Sequence, residues 1–526
     1  MKRFLAIVLA SIMLLAMAPA AVAENAIIYE IADDPEQMDP TLNSYSRSSM
    51  VLQQLFRGLY KLNSDGSGFI PCLAESYEVS EDQLTYTFKL KEDLKWSDGS
   101  PLTAADFEYS WKRVLNPDVA SRAQSDMWVL KNGRAYANGE CSADEVGVTA
   151  VDDTTLVVEL EALTPWFISL TAITSYFPVK KEVVEAEEPW TRSPETYISS
   201  GPFMLEEISS LAYIRMVKNP YYVDADDVQT DTLTYMIIPD AATVLTAYNN
   251  GEINVADNLS SDAIAQYKDT DEFSSIGRIG IQYCDFNCDL PEFSDKRVRQ
   301  AFAISIDRQA VLNALRITEP VIYGFIPYSQ PSLTDPDKSY RDIAGDMFEM
   351  DVAKAQQLMA DAGYPAGEGF PTVEIVTRAD NEQRLMAQIL GEMWKANLGV
   401  DYSITTYESA TYWDELEMGN FSVDRNGYTC DYLDPVANLK IFVTGSNAYE
   451  NNWDDPVFDA MIDATDKESD PAKREQLIIE AEKYLIEEMP AMPMYSYEDT
   501  FLVKPGVNGV IKNAIGHINF EYATFE

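Results

Sequence analysis

The sequence predicts a mixed α/β protein divided into two or three domains, and three observations carry that reading. Its 526 residues exceed what one compact core accommodates. Hydrophobic residues make up 46% of the chain, with 30 Tyr, 21 Phe and 8 Trp to fill large cores. Segments of period-two alternation are interleaved with segments at helical spacing along most of the length.

Taken in order, Lys2-Arg3 precede an apolar run from Phe4 to Ala18, and Ala21-Val22-Ala23 offers a small-x-small cleavage site before Glu24. This is the pattern of a secretory signal peptide, too short for a membrane span, with an uncleaved anchor as the alternative. The mature chain is expected to begin at Glu24 with a net charge of −47 − 2 = −49. Ala26–Ile31 alternates as a strand, and a helix carrying Val51, Leu52, Leu55 and Phe56 ends near Gly58. Tyr77–Ser80 and Leu84–Leu90 form a hairpin around Glu81-Asp82-Gln83, with Leu84, Tyr86, Phe88 and Leu90 on one face. Thr103 with Asp106 opens a capped helix that buries Phe107, Trp111 and Val114. Residues 148–160 read as a second hairpin.

Phe203–Leu205, Tyr213–Val217 and Thr232–Ile238 are strands, and a helix from Ala241 to Asn249 stops before Gly251. Ser294 opens a helix with Val298, Ala301 and Phe302 inward, and Asp307-Arg308 starts another. Asp351 caps a helix that ends at Gly363. Leu385, Ile389, Met393 and Met386, Leu390, Trp394 form two adjoining rows of one amphipathic helix. Asp470-Pro471 supplies a cap and an N1 proline before a helix running to Glu488.

Composition removes several functions. With 86 acids against 39 bases and a net charge of −47, the surface repels nucleic acid and favours cationic small partners. Five cysteines are too few for a disulfide framework, and one histidine, His517, leaves Cys284 and Cys288 short of a metal ligand set. There is no G-x-S-x-G elbow, no H-E-x-x-H, no phosphate loop and no GxGxxG. His517 reads as a surface or core histidine. No catalytic residue, metal or cofactor is expected; a secreted hydrolase using paired carboxylates has no positive support.

The stretch from Arg425 to Pro435 is the candidate ligand site. It reads as a short connection between alternating Phe421–Val423 and a helical run after Pro435, with Tyr428, Cys430, Asp431, Tyr432 and Asp434 on it. Its acids either face a cleft and attract a cation, or cap the following helix.

Several segments carry a family resemblance in order: Phe56-Arg57-Gly58-Leu59-Tyr60, Leu94 to Thr103 with Asp106-Phe107, Ser200-Gly201-Pro202-Phe203, Lys218-Asn219-Pro220-Tyr221-Tyr222, Arg297 to Ala301 with Ile306-Asp307-Arg308, Ala362-Gly363-Tyr364, Asp431-Tyr432-Leu433-Asp434-Pro435 and Pro490 to Tyr495. The chain resembles the oligopeptide- and dipeptide-binding proteins, extracellular solute-binding family 5, of bacterial ABC importers. The resemblance implies a two-lobed α/β periplasmic-binding-protein-like fold that closes on its ligand, with an extra inserted α+β subdomain. Lobe I would comprise 24–46, 178–279 and 500–526, the insert 47–177 and lobe II 280–499, with hinges near 279 and 500.

It further implies an exported monomeric receptor, in the periplasm or outside the cell envelope, that passes oligopeptides to a membrane permease and its ATPase subunits. Asp431 would take the peptide ammonium, Tyr428 and Tyr497 would line the ligand, and Arg425 would receive a carboxylate. Asp285 and Asp34 match acids at the inter-lobe face. Leu416, Gln383 and Ser409 stand where peptide binders resembling this chain have Arg, His and Trp, so the carboxylate end is altered. A same-fold receptor for a sugar or metal complex is the alternative. Family members with a disulfide imply a bridge from Cys430 to Cys284.

Overall fold

The computed structural model describes residues 25–63, 68–186, 189–335, 337–430, 432–446 and 452–526. The expected leader at 1–23 lies outside the described residues, as does Asp431. No helix among the described residues is long and apolar enough to cross a membrane.

The chain opens with β1 (Ala26–Ile31) and α1 (Ser46–Leu55), whose Val51, Leu52 and Leu55 are fully buried, as helical spacing requires. β2 (Ala74–Val79), β3 (Thr85–Leu90), β4 (Val148–Asp152) and β5 (Thr155–Glu159) form an antiparallel sheet in the order β2-β3-β5-β4. Between its two hairpins runs α2 (Ala104–Leu115), opened by the expected capping box: the Thr103 N–H donates to Asp106 Oδ2 at 2.8 Å.

β6 (Phe203–Ser209), β7 (Tyr213–Lys218), β8 (Thr232–Ile237) and β9 (Val255–Ala256) lead to the long β10 (Phe273–Asp285). Then come β11 (Val373–Arg378), α3 (Asn381–Leu398), β12 (Tyr402–Tyr407), α4 (Ser409–Glu417), β13 (Val423–Asp424), β14 (Asn426–Thr429), α5 (Pro471–Glu488) and a second long strand, β15 (Ala491–Val503).

The largest sheet has the order β14-β10-β15-β9-β1-β8-β7-β6, with β1 parallel to β8 and β9 and every other pair antiparallel. β11 lies between β12 and β13 in a separate, wholly parallel sheet. Two cores dominate. One gathers residues from Ile27 to Val255 with Ile518, Phe520 and Ala523; the other runs from Ile281 to Tyr495. β10 and β15 pass between them as antiparallel partners, Phe273 opposite Leu502 and Asp285 opposite Ala491, with the register shifting between Gly277 and Ile281. Trp166 packs against both cores, stacked on Tyr432 at 5.4 Å between ring centres, with Lys440 Nζ 3.9 Å from its own.

Three local expectations are corrected. The helix after Ser294 is capped by Asp295, whose carboxylate accepts the Arg297 N–H, and it begins at Lys296. On α3 the Met386, Leu390, Trp394 row is buried, while Leu385 of the adjoining row is exposed. Asn426–Thr429 is a strand, because it pairs with β10 across a long sequence separation that no local signal announces.

Candidate functional site

The polar junction lies where β10, β14 and β15 meet. Gln282 on β10 has both faces of its strand covered, so its amide must find partners inside. Its Nε2 donates to the carbonyls of Tyr283 and Asn426, and its Oε1 accepts the Tyr497 hydroxyl at 3.2 Å. Two glycines make room for Tyr497. A Cβ on Gly427 would collide with its hydroxyl, and one on Gly280 would lie 2.8 Å from its ring. Tyr428, half-buried on β14 opposite Ile281, packs against the second core and against the small cluster of Ile279, Cys430, Ala437 and Ala514.

Arg425 is held on three sides. Its Nη2 donates to the Tyr495 hydroxyl at 2.9 Å and to Glu382 Oε1 at 3.1 Å, and its Nε lies 3.2 Å from Met386 Sδ. Burial works against its charge, but Tyr495 and Glu382 outweigh burial and hold its pKa above the ordinary value. Asp285 ends β10, buried, and accepts from Asn426 Nδ2 at 3.2 Å. Thus Arg425, Tyr428, Tyr497 and Asp285 come together around three adjacent strands. Asp34 stands apart from them: it accepts Ser210 Oγ at 2.7 Å and the Leu211 N–H at 2.9 Å, tying down the turn between β6 and β7. Of the two acids after Cys430, Asp434 is structural, accepting the Val436 N–H and pairing with buried Arg474 at 2.7 Å.

Two cavities of about 310 Å³ each adjoin this junction and share Ser46, Arg278, Ile515 and His517 as walls. Thr429 and Cys430 line one; Tyr29, Asp257, Asp499 and Lys512 line the other. Lys512 Nζ bridges Asp257 at 2.9 Å and Asp499 at 3.3 Å, and Arg278 Nη1 lies 3.7 Å from Asp499. Burial, with Arg278 and Lys512 nearby, pushes the His517 imidazole down to about 4. It is neutral at physiological pH, and among the described residues no group of three or more potential metal ligands forms.

The bridge expected between Cys430 and Cys284 does not form, and neither cysteine is in a disulfide. The Cys430 N–H donates to the Ile279 carbonyl, which puts Cys284 five residues farther along β10. At about 3.3 Å per residue that is roughly 16 Å, against the ~7 Å limit between Cα atoms for a disulfide.

Sequence reasoning missed Arg278, Arg378, Lys512, Glu382, Tyr495 and Trp166. Only Arg378 had a readable signal: the β-branched residues Val373, Ile375, Val376 and Thr377, followed by a basic residue and the Asp380 helix cap, mark the carboxyl end of a strand. The junction has shape, buried hydrogen-bonding groups and cations of differing availability, which suits holding a polar ligand.

Comparison with known proteins gives the same picture. Residues 68–450 match the model described as bacterial extracellular solute-binding proteins, family 5 Middle. The oligopeptide-binding protein OppA of Bacillus subtilis (strain 168) is 31% identical over 508 residues, covering 94% of this chain and 92% of the relative. The dipeptide-binding protein DppE of the same strain is 29% identical over 506 residues, covering 95% and 92%. The solved unliganded open form of the MppA periplasmic murein tripeptide binding protein is similar with a TM-score of 0.82 at 28% identity, covering 96% of this chain and 98% of that one.

Proposed function

The chain belongs to the bacterial extracellular solute-binding proteins, family 5, and from that membership we propose that it is an exported receptor that captures oligopeptides between two lobes and delivers them to an ABC permease. Lobe I comprises 24–46, 178–279 and 500–526, the inserted subdomain 47–177 and lobe II 280–499. The separate core from Ile281 to Tyr495 supports this division. The receptor acts as a monomer, without catalysis, and residues 1–23 are its leader.

One observation carries the peptide reading beyond family membership. β14 is the outermost strand of the eight-stranded sheet, and its outer edge has no strand partner among the described residues. An extended peptide binds such an edge through its backbone, whatever its side chains. Thr429 and Cys430, at the end of that strand, line a cavity. Asp431 follows directly and takes the peptide ammonium, a role supported by the D-Y-x-D-P motif. A carboxylate enclosed by closing lobes needs a cationic partner, and a free amino group supplies one with charge-assisted hydrogen bonds.

Native mass spectrometry of protein purified from cells is expected to reveal a ladder of bound peptides. Calorimetry with one of them, its N-acetylated form and the Asp431→Asn variant then tests the anchor. Breaking a buried pair costs about 3–5 kcal/mol, so acetylation should weaken wild-type binding a hundredfold or more and cause little further loss in the variant. Additive losses would remove Asp431 from the site, and a sugar or metal complex in place of peptides would overturn the receptor's cargo class.

A further inference from the structure

The turn that follows β14 is fastened at both ends. At its start the Cys430 N–H donates to the Ile279 carbonyl at 3.0 Å. At its end the Asp434 carboxylate accepts the Val436 N–H and receives Arg474 Nη1 and Nη2 at 2.7 and 3.0 Å, while Arg474 Nε donates to the Thr465 carbonyl. Tyr432 stands between these ends, directly after Asp431 in the sequence. Its ring packs against the first core, where it lies on Trp166 with ring centres 5.4 Å apart and planes inclined by 14°.

The indole is carried by one core and gripped by residues of the other. The helical turn after it, Phe167–Leu170, buries Phe167 and Leu170 in the first core, and Ser169 gives both its N–H and its hydroxyl to the Trp166 carbonyl, at 2.9 and 2.7 Å. Lys440 Nζ lies 3.9 Å and Arg474 Cζ 5.6 Å from the indole ring centre. Both cations stand on segments whose Leu439, Ile441 and Ile478 fill the second core, and Lys440 is itself held by Asp466 at 2.8 Å. Arg474 thus serves Asp434 and the indole together. Elsewhere Trp166 borders a cavity of about 570 Å³, walled by Leu84 and Trp128 on one side and by Asp463 and Lys467 on the other. Space rather than packing lies there, so the stack depends on the spacing of the two cores. Offset stacking and a cation near the ring are each attractive, and more so where water is excluded.

We propose that Trp166 is a positioning residue through which the first core sets the anchor turn, so that a peptide ammonium meets a fixed carboxylate only while the two cores are held together. This rests on the reading above, in which Asp431 takes the ammonium. Trp166 acts through Tyr432, and it makes the anchor a joint product of both cores although the D-Y-x-D-P motif is one continuous stretch.

The test is calorimetry of the wild type, Trp166→Ala, Trp166→Phe, Tyr432→Ala and the double Ala variant with tri-, tetra- and pentaalanine, each with a free and an acetylated N-terminus. The readout is the preference for the free amine at the length that binds. Stacking and cation–π contact together are worth roughly five- to thirtyfold in affinity, so Trp166→Ala should shrink the wild-type preference by about that factor. Trp166→Phe keeps a ring to stack and should retain most of it. Tyr432→Ala should shrink it as Trp166→Ala does, and the double variant no further; if Trp166→Ala does not fold, Tyr432→Ala carries the same comparison. Equal weakening of both peptide forms would make Trp166 a general restraint and overturn the positioning role, as would additive losses in the double variant. A wild type that binds both forms equally overturns the anchor reading, and failure of every peptide to bind overturns the receptor reading.

Discussion

Glu30 lies fully buried on β1, where one carboxyl oxygen accepts the N–H groups of Asp257 and Asn258 at 2.8 and 2.6 Å and the other has no partner. Burial, reinforced by the charge of Asp257, raises its pKa to about 8. The unfolded chain releases this proton near the ordinary value of 4.5, while the folded chain holds it to about 8. Between those values the native state binds more protons, so stability falls as pH rises. His517 has the opposite sign: its folded pKa of about 4 lies below 6.5, and its contribution is lost as pH falls through that window. Glu30→Gln keeps the accepting oxygen and removes the titration. Thermal unfolding should show it more stable than wild type at pH 8, by on the order of 1–3 kcal/mol, and close to wild type at pH 5. A variant less stable at pH 8 would refute the assignment. Composition could not have singled Glu30 out from 86 acids, because its shift comes from residues far along the chain.

Helix ends are legible in the sequence because capping is local. Thr103 with Asp106, Asp351 before a helix closed at Gly363, and Asp470-Pro471 all act as their spacing indicates. The strands joining the lobes are not legible. Residues 279–287 are buried without interruption, which erases period-two alternation, and Gly277, Gly280 and Pro493 break the β-forming runs. Motif likeness could bring Arg425, Tyr428 and Tyr497 to attention, yet their setting depends on β10 pairing with both β14 and β15. That pairing is itself testable. A methyl group on Gly280 would lie 2.5 Å from Thr429 Oγ1 and 2.7 Å from the Tyr428 carbonyl. Gly280→Ala is therefore expected to cost about 1–3 kcal/mol in urea unfolding and to weaken peptide binding. Unchanged stability would mean that β14 is not held as described.

Between the two cores, Trp166 is wedged against Tyr432 and beneath Lys440. Stacking and cation–π contact together supply about 1–2 kcal/mol, enough to bias the relative placement of two cores joined by a pair of strands. Trp166→Ala should let the unliganded lobes spread, seen as a larger radius of gyration in small-angle X-ray scattering. An identical scattering curve would show that the contact restrains nothing.

The paired long strands have one more consequence. The chain enters the second core along β10 and returns along β15, and the two ends of that excursion, Asp285 and Ala491, are cross-strand neighbours. Everything between them thus leaves and rejoins the ribbon at hairpin distance, with β14 as the strand that reaches back to β10. A short turn joining those ends would leave the rest of the molecule a continuous chain, although Ile281, Tyr283, Cys284, Met492, Met494 and Tyr495 of the ribbon belong to the core that the excised piece folds around. The same geometry makes this a graft point: a different sequence set between these two positions would take the existing ribbon as its mount.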